Sequence, residues 1–233
     1  TNNYNTAVGY VAGGAVTTGI QNVFVGSFAG DAFTDADFNV GLGYAALSSD
    51  TLGSRSVALG YSALSTQNFT SATNVYNTAV GHAAGTVLTS GVNNTLIGGL
   101  AGDAITDADF NVAVGTGALS GDTLGSHSVA IGAYSLFVQN LTSATNTYNT
   151  AVGSNTGISI TTGTLNTLIG GLAGDALTDA DQNVAVGAGA LTNDTLGSKS
   201  TAIGRSTLAN QNFTSATDSN NTAVGYFAGF NVT

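Results

Sequence analysis

Cysteine, proline, methionine and tryptophan are all missing from the sequence. Without cysteine there is no disulfide framework and no thiolate metal site, and the redox compartment leaves no mark on the chain. Basic residues are nearly as scarce. Arg55, Lys199 and Arg205 stand against thirteen acidic residues, all of them Asp, for a formal charge of -10. Phosphate binding needs clustered Lys and Arg, so nucleic acid is not an expected partner. No run approaches the about 18 apolar residues of a membrane span, and the opening TNNYNTAVG has neither the basic start nor the apolar stretch of a signal peptide. The chain reads as soluble, or as a piece of something longer, with no membrane insertion in this segment. Only 7% of its 233 residues are charged while 33 are Gly, which is not the composition of an ordinary globular enzyme.

What the sequence has instead is repetition. NTLIGGLAGDAITDADFNVAVG, residues 94–115, returns at 166–187 with Leu177 for Ile105 and Gln182 for Phe110 as the only changes. A catalytic site is normally built once from unlike residues, whereas stacked identical units bury one another's faces. Glycine closes each N-[TV]-x-[VIL]-G or S-[VT]-A-[LI]-G unit, at positions 9, 26, 43, 60, 81, 98, 115, 132, 153, 170, 187, 204 and 225. The steps run 17, 17, 17, 21, three times over. Super-repeats of 72 residues therefore occupy 5–76, 77–148 and 149–220, with a partial copy at 221–233, and we expect one repeat domain over 1–233. A period near 17 fits one coil of an all-β, parallel β-solenoid or β-roll, each turn climbing one strand spacing of about 4.8 Å. Thirteen coils would span about 60 Å. The units are rich in Val, Ile and Thr, and TTGIQ, SSDTLGS and TQNFTSATN between them are turn formers without a 3.6-residue apolar pattern, so almost no helix is expected.

The fourth unit position is aliphatic in all thirteen copies, from Val8 to Val224, and is expected to face a packed interior. The third, on the opposite strand face, is small or apolar throughout, as in Ala7, Phe24, Gly41 and Leu96. A strand apolar on both faces is usually covered on both. One cover is expected from a return strand in the G-x-x-[AST] segment, such as Gly9–Ala12 or Gly132–Ser135. The other is expected from another chain, which favours an intertwined or side-by-side oligomer.

The first position is Asn5, Asn22, Asn39, Asn77, Asn94, Asn111, Asn149, Asn166, Asn183 and Asn221, with Ser56, Ser128 and Ser200 in the fourth coil of each super-repeat. Stacked at one strand spacing, these Asn residues are expected to form an amide ladder that holds the turn.

NTAVG, SVALG and SVAIG, each followed by a small residue, as in SVALGYSAL (56–64) and SVAIGAYSL (128–136), resemble the head repeats of YadA-like trimeric autotransporter adhesins. NTAVGYVAG (5–13) and NTAVGYFAG (221–229) are similar to NTAVG-type repeats of bacteriophage tail fibres. The resemblance covers essentially the whole chain. It implies a parallel β-roll, three chains about a fibre axis, and an extracellular or virion role in attachment. The adhesin heads are usually built on a shorter coil, and neither a coiled-coil stalk nor a membrane anchor is expected within residues 1–233.

Three features draw attention as sites. GDAFTDADF and its copies place Asp31, Asp35 and Asp37, then Asp103, Asp107 and Asp109, then Asp175, Asp179 and Asp181, where Ca²⁺ would find oxygen ligands. Their spacing matches neither an EF-hand loop nor a nonapeptide Ca²⁺ repeat, and Asp that caps turns and keeps the fibre soluble serves as well. A second column, Asp50, Asp122 and Asp194, precedes Arg55, His127 and Lys199 by five residues and reads as solvated surface that pairs locally or with a neighbouring chain. The 21-residue coils carry TQNFTSATN, VQNLTSATN and NQNFTSATD, with N-x-T acceptors for glycosylation at Asn68, Asn140 and Asn212 in what reads as an exposed loop interrupting the roll. Such loops would also be the place for receptor or glycan contacts.

No catalytic set recurs. His82 stands where other copies have Tyr10, Ser154 and Tyr226, no G-x-S-x-G elbow exists, and GGLAG lacks the Lys of a phosphate loop, so no enzyme is expected and no cofactor beyond Ca²⁺. The expected role is a structural fibre or adhesin segment: a stiff rod, homotrimeric, with repeated loops for attachment to a cell-surface glycan or protein receptor. The alternative is a single-chain solenoid polymerising end to end into an extracellular filament or sheath. An ice-binding solenoid would need a flat outward array of Thr, and the second unit position, which mixes Thr with Val and reads as buried, argues against it.

Overall fold

A computed structural model describes residues 3–233. It is all-β, with no helix among the described residues. The chain divides into two compact units, Thr1–Asn111 and Val112–Thr233. Each is a parallel β-solenoid. The repeats alone suggested one domain over 1–233. In a solenoid each coil touches only its neighbours, so compact units need not follow super-repeat boundaries.

Unit positions two to four form the strands. In the first unit these are Thr6–Val8, Val23–Val25, Val40–Leu42, Val57–Leu59, Thr78–Val80 and Thr95–Ile97. They pair in sequence order and in strict register, from Thr6↔Val23, Ala7↔Phe24 and Val8↔Val25 to Thr78↔Thr95, Ala79↔Leu96 and Val80↔Ile97. The second unit repeats this with Val112–Val114, Val129–Ile131, Thr150–Val152, Thr167–Ile169, Val184–Val186, Thr201–Ile203 and Thr222–Val224. Each long coil adds a second short parallel pair: Gly53–Ser54 with Thr73–Asn74, Gly125–Ser126 with Thr145–Asn146, and Gly197–Ser198 with Thr217–Asp218.

A three-residue strand puts one side chain on one face and two on the other. The third position is the inward one: Phe24, Ala58, Ala79 and Leu96 are buried in the first unit and Ala113, Ala130, Leu168 and Ala202 in the second. The fourth position therefore points out, with Leu42 49% exposed and Ile169 39% exposed, which corrects the expectation that it faces the interior. The coil closes on the third-residue side because the chain turns there at once. The segment after glycine is a turn and not a return strand, with left-handed backbone at its second and fourth residues, as at Phe28 (φ 60°) and Gly30 (φ 57°). Its small third residue, such as Ala29, Ala46 or Ala63, is fully buried inside the coil.

The closing glycines are a geometric requirement. Their φ lies between 128° and 144°, and a Cβ on Gly26 would stand 2.5 Å from the carbonyl oxygen of Gly43 in the next coil. Only glycine accepts that backbone and that approach together.

Two contrasting ways of filling the coil recur in each super-repeat, and the coil before them, with Ala79 and Gly85 or Ala151 and Gly157, is small at both positions. In the second coil Phe24 enters from the strand, stacks on Phe33 at 5.3 Å, and leaves no room beside Gly30, where a Cβ would lie against the Phe24 ring. The sixth and tenth coils do the same with Leu96, Gly102 and Ile105 and with Leu168, Gly174 and Leu177. In the third and fourth coils the strand residue is Gly41 or Ala58, and the vacated space is taken by Leu47 or Leu64 at the position of Gly30, despite a left-handed φ of 54° or 50°. The position of Phe33 is then polar, Asp50 or Gln67, and both are fully buried.

Candidate functional site

The two outward columns of each strand make a continuous face on each unit, aliphatic along its fourth-position column. The second position is half-buried to exposed and mixes Thr with Val, seven Thr and six Val in all, so the reading of it as buried fails. The fourth position remains aliphatic in every coil, which still departs from an all-Thr array. Beside this face in the first unit runs a line of rings: Tyr10 meets Phe28 edge-on at 5.4 Å, Phe28 meets Tyr44 at 5.8 Å, and Tyr44, Tyr61 and His82 stack nearly parallel at 5.3 and 5.2 Å. In-register coils bring like positions within stacking distance. His82 is thus an exposed member of a ring stack.

The first-position residues are linked coil to coil. Asn22 N–H donates to Asn5 Oδ1 at 2.8 Å, Asn39 N–H to Asn22 Oδ1 at 2.9 Å and Ser56 N–H to Asn39 Oδ1 at 2.8 Å. Each carboxamide nitrogen donates across the coil, Asn22 to Ala36 O, Asn39 to Gly53 O, Asn77 to Gly91 O and Asn94 to Ala108 O, between 2.7 and 3.0 Å. Asn111 N–H donates to Asn94 Oδ1. In the second unit Asn149, Asn166 and Asn183 follow the same pattern, ending at Ser200 N–H on Asn183 Oδ1.

Where Ser interrupts the carboxamides, a buried polar station takes over. Asp50 Oδ1 accepts from the N–H groups of Gly53 and Phe69, both at 3.0 Å, while Oδ2 accepts from Gln67 Nε2 at 2.6 Å. Gln67 Nε2 also reaches Ser56 Oγ at 3.1 Å, and its Oε1 accepts from Asn77 Nδ2 at 2.9 Å. Asp122, Gln139, Ser128 and Asn149 repeat the arrangement, as do Asp194, Gln211, Ser200 and Asn221. These Asp residues are fully buried, which overturns their reading as solvated partners of the cationic column. Their fixed place in the coil, where other coils carry Val16, Phe33, Leu88 or Ile105, was the signal available in the sequence. Burial raises the Asp50 and Asp122 carboxyls above the usual carboxylate range, even though backbone and Gln donors pull them down. The cations pair elsewhere: Arg55 Nε donates to Asn74 Oδ1 at 2.9 Å with its guanidinium 4.7 Å from the Phe38 ring, and Lys199 Nζ meets Asp218 Oδ2 at 2.5 Å. His127 lies 5.1 Å from the Tyr148 ring.

The nine calcium candidates are not drawn into one cage. Asp35, Asp107 and Asp179 are exposed and accept the hydroxyls of Thr18, Ser90 and Thr162 one coil back at 2.5–2.6 Å. Asp37, Asp109 and Asp181 accept the N–H groups of Ile20, Val92 and Thr164 at 2.6–2.8 Å. Asp31, Asp103 and Asp175 are half-buried; burial raises the Asp31 and Asp175 carboxyls, and Asp175 accepts the Thr192 hydroxyl at 2.5 Å. Among the described residues no group of three or more His, Cys, Asp or Glu converges to hold a metal ion.

The long coils are less loop-like than their composition suggests. Gln67 and Phe69, Gln139 and Leu141, are core residues, and only the tips 70–72, 142–144 and 214–216 are exposed throughout. Asn68, Asn140 and Asn212 are exposed, each with its Oδ1 accepting the hydroxyl of Thr51, Thr123 or Thr195. No described helix is long and apolar enough to cross a membrane. No protein-family model, no curated protein and no solved structure matches the chain.

Proposed function

We propose that the chain is a non-catalytic segment of an extracellular or virion fibre, in which three copies pack their outward strand faces against one another and the exposed tips of the long coils serve attachment. The observation that carries this reading is the outward aliphatic column. Val8 and Leu42 in the first unit, and Ile131 and Ile203 in the second, are among large apolar residues left open in a single chain, and within each unit they lie in line on a regular parallel sheet. Contiguous apolar surface of this kind marks an interaction face. A second copy is the economical cover, because an identical repeat presents side chains at the same strand spacing. The backbone ladder, the glycine column and the Asn links supply stiffness along each unit, and repeated tips convert weak contacts into avidity.

Sedimentation of the purified chain tests the assembly. The expected mass is about three times the 22.9 kDa of one chain. Ile169→Lys, placed on the outward column, is expected to shift that mass to one chain while the β circular dichroism survives. A wild-type chain that stays folded and monomeric removes the three-chain reading, and an open-ended mass distribution favours the filament of single-chain solenoids.

A further inference from the structure

One position separates the otherwise near-identical blocks 94–115 and 166–187 on the surface: Gln182 stands where Phe110, and Phe38 one super-repeat earlier, carry a ring. In the first super-repeat a cation lies over one face of that ring, which stays 39% exposed. The Arg55 guanidinium lies 4.7 Å over Phe38 and 5.9 Å from Tyr76, and Arg55 is tied to Asn74. In the third, Gln182, Lys199, Asp218 and Asn220 replace Phe38, Arg55, Asn74 and Tyr76, and a cleft of about 210 Å³ lies among the first three, lined also by Asp181 and Ser198 and by Thr164 and Leu165, which stand where the first super-repeat has Ile20 and Gln21.

The groups around it form a mixed set. Asp181 Oδ1 is engaged by the N–H and hydroxyl of Thr164 at 2.6 and 3.0 Å, and its N–H is held by Ser198 Oγ at 3.0 Å, so the carboxylate is fixed in place. Its other oxygen and the Gln182 carboxamide take no side-chain hydrogen bond among the described residues. Lys199 Nζ, anchored on one oxygen of Asp218, has further N–H donors, and Asp218 keeps a second oxygen. Leu165, 47% exposed, adds an apolar wall.

Two carboxylates and one ammonium give the cleft a net negative charge, which disfavours phosphate, sulfate and acidic sugars. The ammonium on Asp218 disfavours a bare metal ion. A hydroxyl donates and accepts at once, so neighbouring hydroxyls on a ring match a fixed carboxylate beside amide and ammonium donors, while the ring's C–H face suits Leu165. We propose that this cleft binds one neutral pyranose unit. The binding itself does not depend on the chain's assembly; only its use in attachment rests on the fibre reading above.

Saturation-transfer NMR on the full chain tests it, with methyl glucoside, methyl galactoside, methyl mannoside and N-acetylglucosamine as probes and N-acetylneuraminic acid as the anionic comparison. At least one neutral probe is expected to give transfer and the acidic sugar none. Gln182→Phe with Lys199→Arg and Asp218→Asn closes the cleft with the ring, guanidinium and carboxamide that stand there in the first super-repeat, and it is expected to cut the signal at least tenfold without changing the melting temperature or the sedimented mass. Transfer to no neutral probe, transfer that persists in the closed variant, or preference for the acidic sugar overturns the site. None of these outcomes changes the mass by which the fibre reading stands or falls.

Discussion

The second and third coils follow the same backbone path and fill it in opposite ways. In the second, a ring descends from the strand onto a second ring, and glycine makes room for them. In the third, the strand residue is Gly41, Leu47 fills the space from the turn, and Asp50 ends the row on backbone N–H groups and the Gln67 carboxamide. These two coils fill a similar space with different chemistry. Large on the strand demands glycine on the turn, and small on the strand admits leucine even in a left-handed conformation that costs about 1–2 kcal/mol.

Crossing the two designs should do the most damage. Gly30→Leu puts the third coil's leucine against the second coil's Phe24 ring and is expected to cost about 3 kcal/mol or more, read as a collapse of the thermal transition. Adding Phe24→Gly, which completes the exchange at those two positions, is expected to recover part of the loss. Asp50→Asn comes next. It turns an amide N–H₂ toward the N–H₂ of Gln67 and leaves buried donors facing one another, for about 1–3 kcal/mol by denaturant titration. Gln67→Glu in that background restores an acceptor opposite each donor, including Asn77 Nδ2, and most of the stability with it.

A smaller effect follows from the raised carboxyls of Asp50 and Asp122. The folded chain keeps those protons at pH values where the unfolded chain has released them. Their contribution is complete below the ordinary Asp value of about 3.9 and is lost as pH rises through the raised native value. The melting temperature is therefore expected to be higher near pH 4 than near pH 7, by less in Asp50→Asn than in the wild type. Surface contacts should matter least: Arg55→Met, which removes the cation over Phe38, is expected to change stability by under about 1 kcal/mol.

The coil, its parallel register and the need for glycine at each closing position were legible because they depend on spacing, and spacing survives in a one-dimensional string. Which strand face is inside was not. Ala58 and Leu59 are both apolar, and only the direction of the turn after Gly60, set by left-handed φ values at Ser62 and Leu64, decides between them. Asp50 was misread for a related reason. Its distance to Arg55 along the chain looked like a local pair, whereas its real partners, Gln67 and the Phe69 N–H, come from the following coil. The Gln182 cleft could be read only as a difference between two copies, since polar residues in a turn carry no mark of the space around them.

The buried stations also act as phase marks. Near-identical coils are prone to slide past one another during folding, since a shift of one coil still places a strand beside a strand. With Asp50 and Gln67 inside, a slip of one coil would bring Asp50 against Leu88 or Gln67 against Phe33 without its partners, and an unpaired buried polar or charged group is heavily penalised. A slip by the full 72-residue block escapes that check, so mispairing, where it occurs, should be quantised in whole super-repeats.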